Sequence, residues 1–144
     1  MITIMKGDIL KSECRTIANP ISCDGNANNG LAAELKGLYP EMFKQYTSYC
    51  KDNLLDIGKL WLYKGKENDN WVLNFPIKKT NRCKPKLAFI EEGLDKLIST
   101  YEERKIGSIA LPLLGADKLD RKDVLALMID KLVKCDNLYV EIWV

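Results

Sequence analysis

Apolar and polar positions follow two alternating rhythms along this chain, a short one that suits strands and a longer one that suits helices. Ile2 to Met5 is a strand-forming run closed by Gly7-Asp8, and Thr16 to Ser22 (TIANPIS) reads as a second strand that breaks at Pro20. A Gly- and Asn-rich stretch, Asp24 to Gly30, leads into a helical pattern carried by Leu31, Ala32, Leu35 and Leu38. Pro40 suits the first turn of another helix, with Glu41 favourable at its positive end and Met42, Phe43, Tyr46 and Tyr49 as its apolar stripe. Leu60 to Tyr63 and Trp71 to Ile77 read as two strands around the polar turn region Gly65 to Asn70. Pro76 is expected at its strand's end, because proline cannot donate to a central ladder.

The longest helical pattern runs from Leu87 to Arg104, with Leu87, Ile90, Leu94, Leu97, Ile98 and Tyr101 on a 3.6-residue period. Ser108 to Leu114 (SIALPLL) is nearly continuous in apolar residues, as a strand buried on both faces should be. Asp120 reads as a helix cap for the amphipathic run through Val124, Leu127, Met128 and Leu132, and Leu138 to Val144 closes the chain as a strand. Such alternation predicts an α/β layered domain with a mostly parallel sheet. Nothing in residues 1–144 reads as a repeat or a linker, so a single domain is expected.

Composition narrows the chemistry. The 144 residues are 47% hydrophobic and 29% charged, an ordinary globular mix, and 22 Lys and Arg against 20 Asp and Glu leave a net charge of +2. That balance does not by itself call for a polyanionic partner. Histidine is absent, which excludes Ser-His-Asp and Cys-His catalysis and any zinc site that needs imidazole. The cysteines, Cys14, Cys23, Cys50, Cys83 and Cys135, are odd in number and never spaced as CxxC. They predict small buried hydrophobes in a reducing cytoplasm rather than a disulfide framework. No apolar run approaches the ~20 residues of a membrane span, so no membrane partner is expected. A monomer without metal or cofactor is the simplest expectation.

In sheets of this kind ligands bind beyond the carboxyl ends of strands. Three loops qualify: Gly7-Asp8-Ile9, Asp24 to Gly30, and Gly115 to Asp120. The second places glycines before a helix start, where free N–H groups can cradle a phosphate. Spacing alone leaves open that it is only a turn.

Read in order, the motifs say more. Gly7-Asp8-Ile9, Ala18-Asn19-Pro20, Cys23-x-Gly25, Asn29-Gly30-Leu31-Ala32, Tyr39-Pro40-Glu41, Asn74-Phe75-Pro76-Ile77-Lys78 and Ser108 to Gly115 follow one another along nearly the whole chain. In this the chain resembles a macrodomain, the ADP-ribose-binding α/β module. The resemblance implies a three-layer α/β/α fold with a mixed, mostly parallel central sheet. Asn74 to Lys79 is similar to the mark of one branch, that of the DNA ADP-ribosyl glycohydrolase antitoxins and the human terminal ADP-ribose protein glycohydrolase.

The resemblance implies roles residue by residue. Lys78 would attack the anomeric carbon of the distal ribose as a neutral amine, a state that the neighbouring cations Lys79 and Arg82 favour. Asp117, just before Lys118-Leu119, would shuttle its proton. Asp120 is already explained as a cap. Asp8 would accept from the adenine amine beside Ile9. Asn19 and the loop Asp24 to Gly30, with Gly25, Asn28, Asn29 and Gly30, would cover the distal ribose; Cys23, Leu31 and Pro76 would lie near the ligand; and Gly115 and Ala116, with their neighbours Leu113, Leu114, Lys118 and Leu119, would surround the pyrophosphate. Without the resemblance, Asp8 reads as a turn residue and Lys78 as a solvated surface lysine.

Two departures from the family pattern stand out. Asn28-Asn29-Gly30 replaces a Gly-Lys-Gly-like segment, and the loop from Gly115 to Leu119 is about two residues short and lacks later glycines. Both are expected to alter backbone approach to the ligand. The cations Lys78, Lys79, Arg82, Lys84 and Lys86 form either a solvated loop or a path for nucleic-acid phosphates. The function expected is an ADP-ribosyl hydrolase acting on a modified base or an acidic side chain. The alternatives are a binding module without turnover and a phosphatase acting on ADP-ribose 1″-phosphate.

Overall fold

The computed structural model describes residues 1–67 and 69–144. Among these lie six strands and four α-helices, in the order β1 (Ile2–Met5), a 3-10 turn (Ile9–Lys11), β2 (Thr16–Ser22), α1 (Gly30–Leu38), α2 (Pro40–Lys51), β3 (Trp61–Lys64), β4 (Trp71–Lys78), α3 (Leu87–Thr100), β5 (Ser108–Pro112), α4 (Arg121–Leu132) and β6 (Tyr139–Trp143). The strands form one sheet in the order β1-β6-β5-β2-β4-β3. Every neighbouring pair is parallel except β3 with β4, which is antiparallel. This is the mixed, mostly parallel sheet the sequence predicts.

Side-chain alternation along β4 divides the layers. Leu73, Phe75 and Ile77 face a core shared with Leu94 and Leu97 of α3 and Val124, Met128 and Leu132 of α4. Val72 faces the opposite side, with Leu35 of α1 and Met42 of α2. Burying side chains such as Phe75 and Leu94, both fully shielded, contributes about 1.5–3 kcal/mol apiece. At Gly93 α3 lies close against the sheet: a Cβ there would stand 2.3 Å from Phe75 Cζ.

The sheet also splits. β2 pairs with β5 only at Thr16 with Ile109 and Ile17 with Ala110, while its pairing with β4 continues to Ser22. Beyond Ile17 the two halves of the sheet diverge and a cleft opens between their carboxyl ends. The split explains the first difference from expectation. β2 does not break at Pro20, because that residue lies where β2 has a partner on one side only. Pro76 is tolerated near the end of β4 for the same reason, since β3 pairs with β4 no further than Asn74.

Two other boundaries move by more than one residue. α3 stops at Thr100 rather than Arg104, because Lys105 takes a left-handed φ of 60° and Ile106 N–H turns back to the Tyr101 carbonyl at 2.9 Å. β5 stops at Pro112, whose register partner Trp143 is the last residue of β6, so Leu113 and Leu114 belong to the following turn. Three cysteines, Cys14, Cys50 and Cys135, are buried as expected, whereas Cys83 is exposed on the loop after β4. No helix of the described residues is long and apolar enough to cross a membrane.

Candidate active site

The cleft at the split has a volume of about 580 Å³, within the range of small-molecule sites. The half of the sheet holding β2 and β4 supplies Ser22, Asn26 to Ala32, Lys78 and Asn81; the half holding β5 and β6 supplies Leu113, Gly115, Ala116, Asp117, Trp143 and Val144. Of the residues predicted from sequence, the fold thus brings together Asn28, Asn29, Gly30, Leu31, Lys78, Leu113, Gly115, Ala116 and Asp117.

Lys78 is the last residue of β4, and its Nζ donates to the Asn81 carbonyl at 3.2 Å. Asn81 is held in turn by Asp24, whose Oδ2 accepts the Asn81 N–H at 2.8 Å. The other carboxylate oxygen of Asp24 accepts the Ser22 hydroxyl at 2.6 Å and the Asn26 N–H at 3.2 Å. Partial burial works to raise the Asp24 pKa, but the donors from Asn81, Ser22 and Asn26 outweigh it and hold the carboxyl below its ordinary value. Underneath, Tyr46 donates to the Ser22 carbonyl at 2.7 Å, and Cys23 N–H reaches the carbonyls of Lys78 and Lys79, both at 3.2 Å. The loops after β2 and β4 are therefore one hydrogen-bonded unit, with Asp24 at its centre.

The neighbouring loop presents a helix start. α1 begins at Gly30, Asn29 makes no side-chain cap to it, and Gly30, Leu31 and Ala32 line the cleft. Uncapped N–H groups at a positive helix end suit an anionic group. The positive φ values of this loop fall on Gly25 (86°) and Gly30 (58°), not on Asn28, so the asparagine imposes no backbone strain.

On the far wall, the short 113–119 loop closes on itself. The Ala116 N–H bonds the Leu113 carbonyl at 3.2 Å, and Lys118 and Leu119 both reach Gly115 O, at 3.1 and 3.0 Å. Gly115 has a φ of 71°, and a Cβ there would lie 3.2 Å from Pro85, so this loop packs against the loop after β4. Asp117 is exposed in the cleft.

Other predicted residues stand behind these walls. Cys23, Gly25, Pro76, Leu114, Lys118 and Leu119 neighbour the cleft in sequence but do not line it. Burial, with Asp56 nearby, pushes the Cys23 thiol up to about 11, so it has no activated thiolate. Asn19 is buried, and its Nδ2 donates to Asn74 Oδ1 at 3.1 Å while its own Oδ1 has no partner among the described residues. Asp8 is exposed and caps the 3-10 turn by accepting from Leu10 N–H at 3.0 Å. Ile9 packs near Trp143, at the far end of the cleft. Lys79, Arg82, Lys84 and Lys86 are all exposed on the loop that follows Lys78.

The sequence marks Asp24 only as the first residue of a ligand loop and Trp143 only as core, and gives Asn81 and Arg121 no site role. The pairing of Asp24 with Asn81 carries no local signal, because it spans 57 residues. Arg121 did carry one. It opens α4 and lines the cleft, a cation at the positive end of a helix that an anionic ligand would offset.

Comparison with known proteins gives this arrangement a context. The family model described as Macro domain matches residues 18–127. The DNA ADP-ribosyl glycohydrolase of Mycobacterium tuberculosis is 38% identical over 128 residues, covering 86% of this chain and 36% of that protein. The enzyme of the same name from Thermus aquaticus is 30% identical over 118 residues, covering 81% and 33%. The chain thus spans about a third of these relatives' length. Among solved structures, the macrodomain of Mycobacterium tuberculosis DarG superposes with a TM-score of 0.95 at 34% identity, over 99% of this chain and 97% of that one. Thermosipho africanus DarTG in complex with ADP-ribose gives a TM-score of 0.92 at 27% identity, over 99% of this chain and 41% of that one.

Proposed function

The chain belongs to the Macro domain family, and from that premise we propose that it is a hydrolase releasing ADP-ribose from a modified nucleic-acid base, with Lys78 as nucleophile and Asp117 as proton shuttle. The observation that carries this reading is their shared cleft: Lys78 ends β4 on one wall, and Asp117 lies in the loop forming the other. The names of the relatives and the ADP-ribose in one solved neighbour support it.

In the proposed sequence Asp117 takes a proton from the Lys78 ammonium, and the freed amine attacks C1″ of the distal ribose. The bond from C1″ to the base nitrogen breaks, and that nitrogen keeps the electron pair and receives the proton from Asp117. Water then adds to C1″, the lysine nitrogen leaves with its bonding pair, and the water's proton returns through Asp117 to Lys78. One water is consumed, and free ADP-ribose and the unmodified base are released. The uncapped start of α1 and Arg121 bear on the phosphates. Lys79, Arg82, Lys84 and Lys86 meet phosphates flanking the modified base. A cytoplasmic setting fits five free thiols.

The test is release of ADP-ribose from an oligonucleotide carrying ADP-ribosyl-thymidine, with ADP-ribose affinity measured by calorimetry. The expected result is turnover by wild type, and loss of turnover with retained affinity in Lys78→Ala. Undiminished turnover in Lys78→Ala, or loss of binding together with turnover, overturns the assignment. One observation favours a second reading, a module that sequesters ADP-ribose without turnover: three N–H groups of the 113–119 loop are already engaged by carbonyls of the same loop. Tight binding with no release by wild type selects that reading.

A further inference from the structure

A second concavity, of about 480 Å³, follows the free edge of β3 and belongs to none of the machinery above. β3 pairs with β4 on one side only, so the trough runs along an open strand. Its lining includes three cations, Lys59, Lys64 and Arg104, and no acidic side chain among the described residues. In a chain with 22 basic and 20 acidic residues, three unopposed cations in one groove depart from the average mix. None of the three joins an ion pair among the described residues. Arg104 Nη1 is shielded from solvent and has no acceptor among the described residues. The trough also presents aromatic and apolar surface: Tyr49 meets Trp61 edge to face with ring centroids 4.9 Å apart, and Leu54 is 55% exposed.

Charge and aromatic surface together suit a strand whose phosphates are anionic and whose bases stack. We propose that this trough holds single-stranded nucleic acid flanking the modified nucleotide, with phosphates on Lys59, Lys64 and Arg104 and a base against Tyr49 and Trp61. The register supports continuity with the cleft. Trp61 lies opposite Asn74, and Lys78 is four residues further along β4, about 13 Å at the usual rise per residue. Lys59, just before β3, stands toward that same end of the sheet. The inference rests on a nucleic-acid substrate, and it adds a surface remote from the reacting atoms.

The experiment measures binding of an unmodified single-stranded oligothymidylate by fluorescence anisotropy across a salt series, for wild type, Lys59→Gln/Lys64→Gln and Arg104→Gln. Both lysines are exposed, so the double variant keeps its core. Each single-strand phosphate contact contributes about 0.7 to the slope of log K against log salt, so two lost contacts lower the slope by about 1.4 and raise Kd about 25-fold near 0.1 M salt. Release of ADP-ribose from an ADP-ribosyl-thymidine mononucleotide, too short to reach the trough, should stay at the wild-type rate in the double variant. Equal Kd and slope in wild type and both variants overturn the proposal. So does a polyglutamate peptide whose binding is lost in the variants while oligothymidylate binding is kept, because the trough then takes an acidic peptide strand. Failure of wild type on the mononucleotide strikes the hydrolase reading and leaves the anisotropy result to decide this one.

Discussion

Replacing Asp24 by Asn tests whether the joined loops position Lys78. Asp24 accepts from Asn81, Ser22 and Asn26 at 2.8, 2.6 and 3.2 Å. An asparagine offers one acceptor oxygen and one amino group, so at least one of these donors must face another donor. Hydrogen bonds to a charged acceptor are worth about 1.5–3 kcal/mol, and Asp24 is exposed enough that water replaces part of this, leaving about 1–2 kcal/mol. That energy anchors Asn81, whose carbonyl in turn receives Lys78 Nζ. If the anchored arrangement matters chiefly at the transition state, 1–2 kcal/mol predicts a fall in kcat of about 5- to 30-fold with little change in KM. Steady-state release of ADP-ribose measures this, and hydrogen exchange at the Asn81 amide gives a readout independent of turnover. Wild-type protection at Asn81 in Asp24→Asn would refute the structural chain. Lost protection with an unchanged kcat would refute the link from Asn81 to Lys78.

The remaining expectations concern stability and the far wall. Gly93→Ala pushes a methyl into Phe75 and should cost about 1–3 kcal/mol, seen by calorimetry as a lower Tm with ADP-ribose affinity largely kept in the folded protein. Gly115→Ala combines a left-handed backbone with crowding against Pro85 and Ile90, so calorimetry should show a lower Tm and, because Gly115 lines the cleft, a weaker ADP-ribose affinity as well. Acid should also destabilise the fold. Burial would raise the pKa of Glu141, but donors from Ser12, Tyr139 and Trp143 hold it below the ordinary value of 4.5, and Asp24 is likewise held below 3.8. The unfolded chain therefore binds these protons more readily, so the stabilisation is present above pH 4.5 and is lost as pH falls through the folded values. A Tm that stays level from pH 7 to pH 3 would contradict this, and Glu141→Gln should flatten the decline.

What the sequence revealed was mostly local. The Asp120 cap is a three-residue device, and its carboxylate accepts the Asp123 N–H at 3.1 Å as the spacing predicts. Asn74 to Lys78 ends β4 as expected, and the alternation of Val72 with Leu73 sorts that strand's two faces. Features that depend on distant partners were hidden. Pro20 reads as a break until the ladder to β5 is known to end at Ile17. Trp143 reads as core, and its indole does donate to Glu141 at 3.0 Å, yet the same ring walls the cleft. The exposure of Cys83 follows from loop geometry that no spacing rule encodes; there the Thr80 hydroxyl donates to its sulfur at 3.1 Å and lowers the thiol pKa.

The early end of the ladder between β2 and β5 has a mechanical meaning. Two rungs join the ribbon β1-β6-β5 to the ribbon β2-β4-β3 directly, and the helices must carry the rest of the coupling. A ligand that touches both Lys78 and the 113–119 loop would act as the absent rungs of that ladder. Its binding should then tie together the opening of both ribbons, so that amides far from the cleft, on β1 and on β3, exchange more slowly in step.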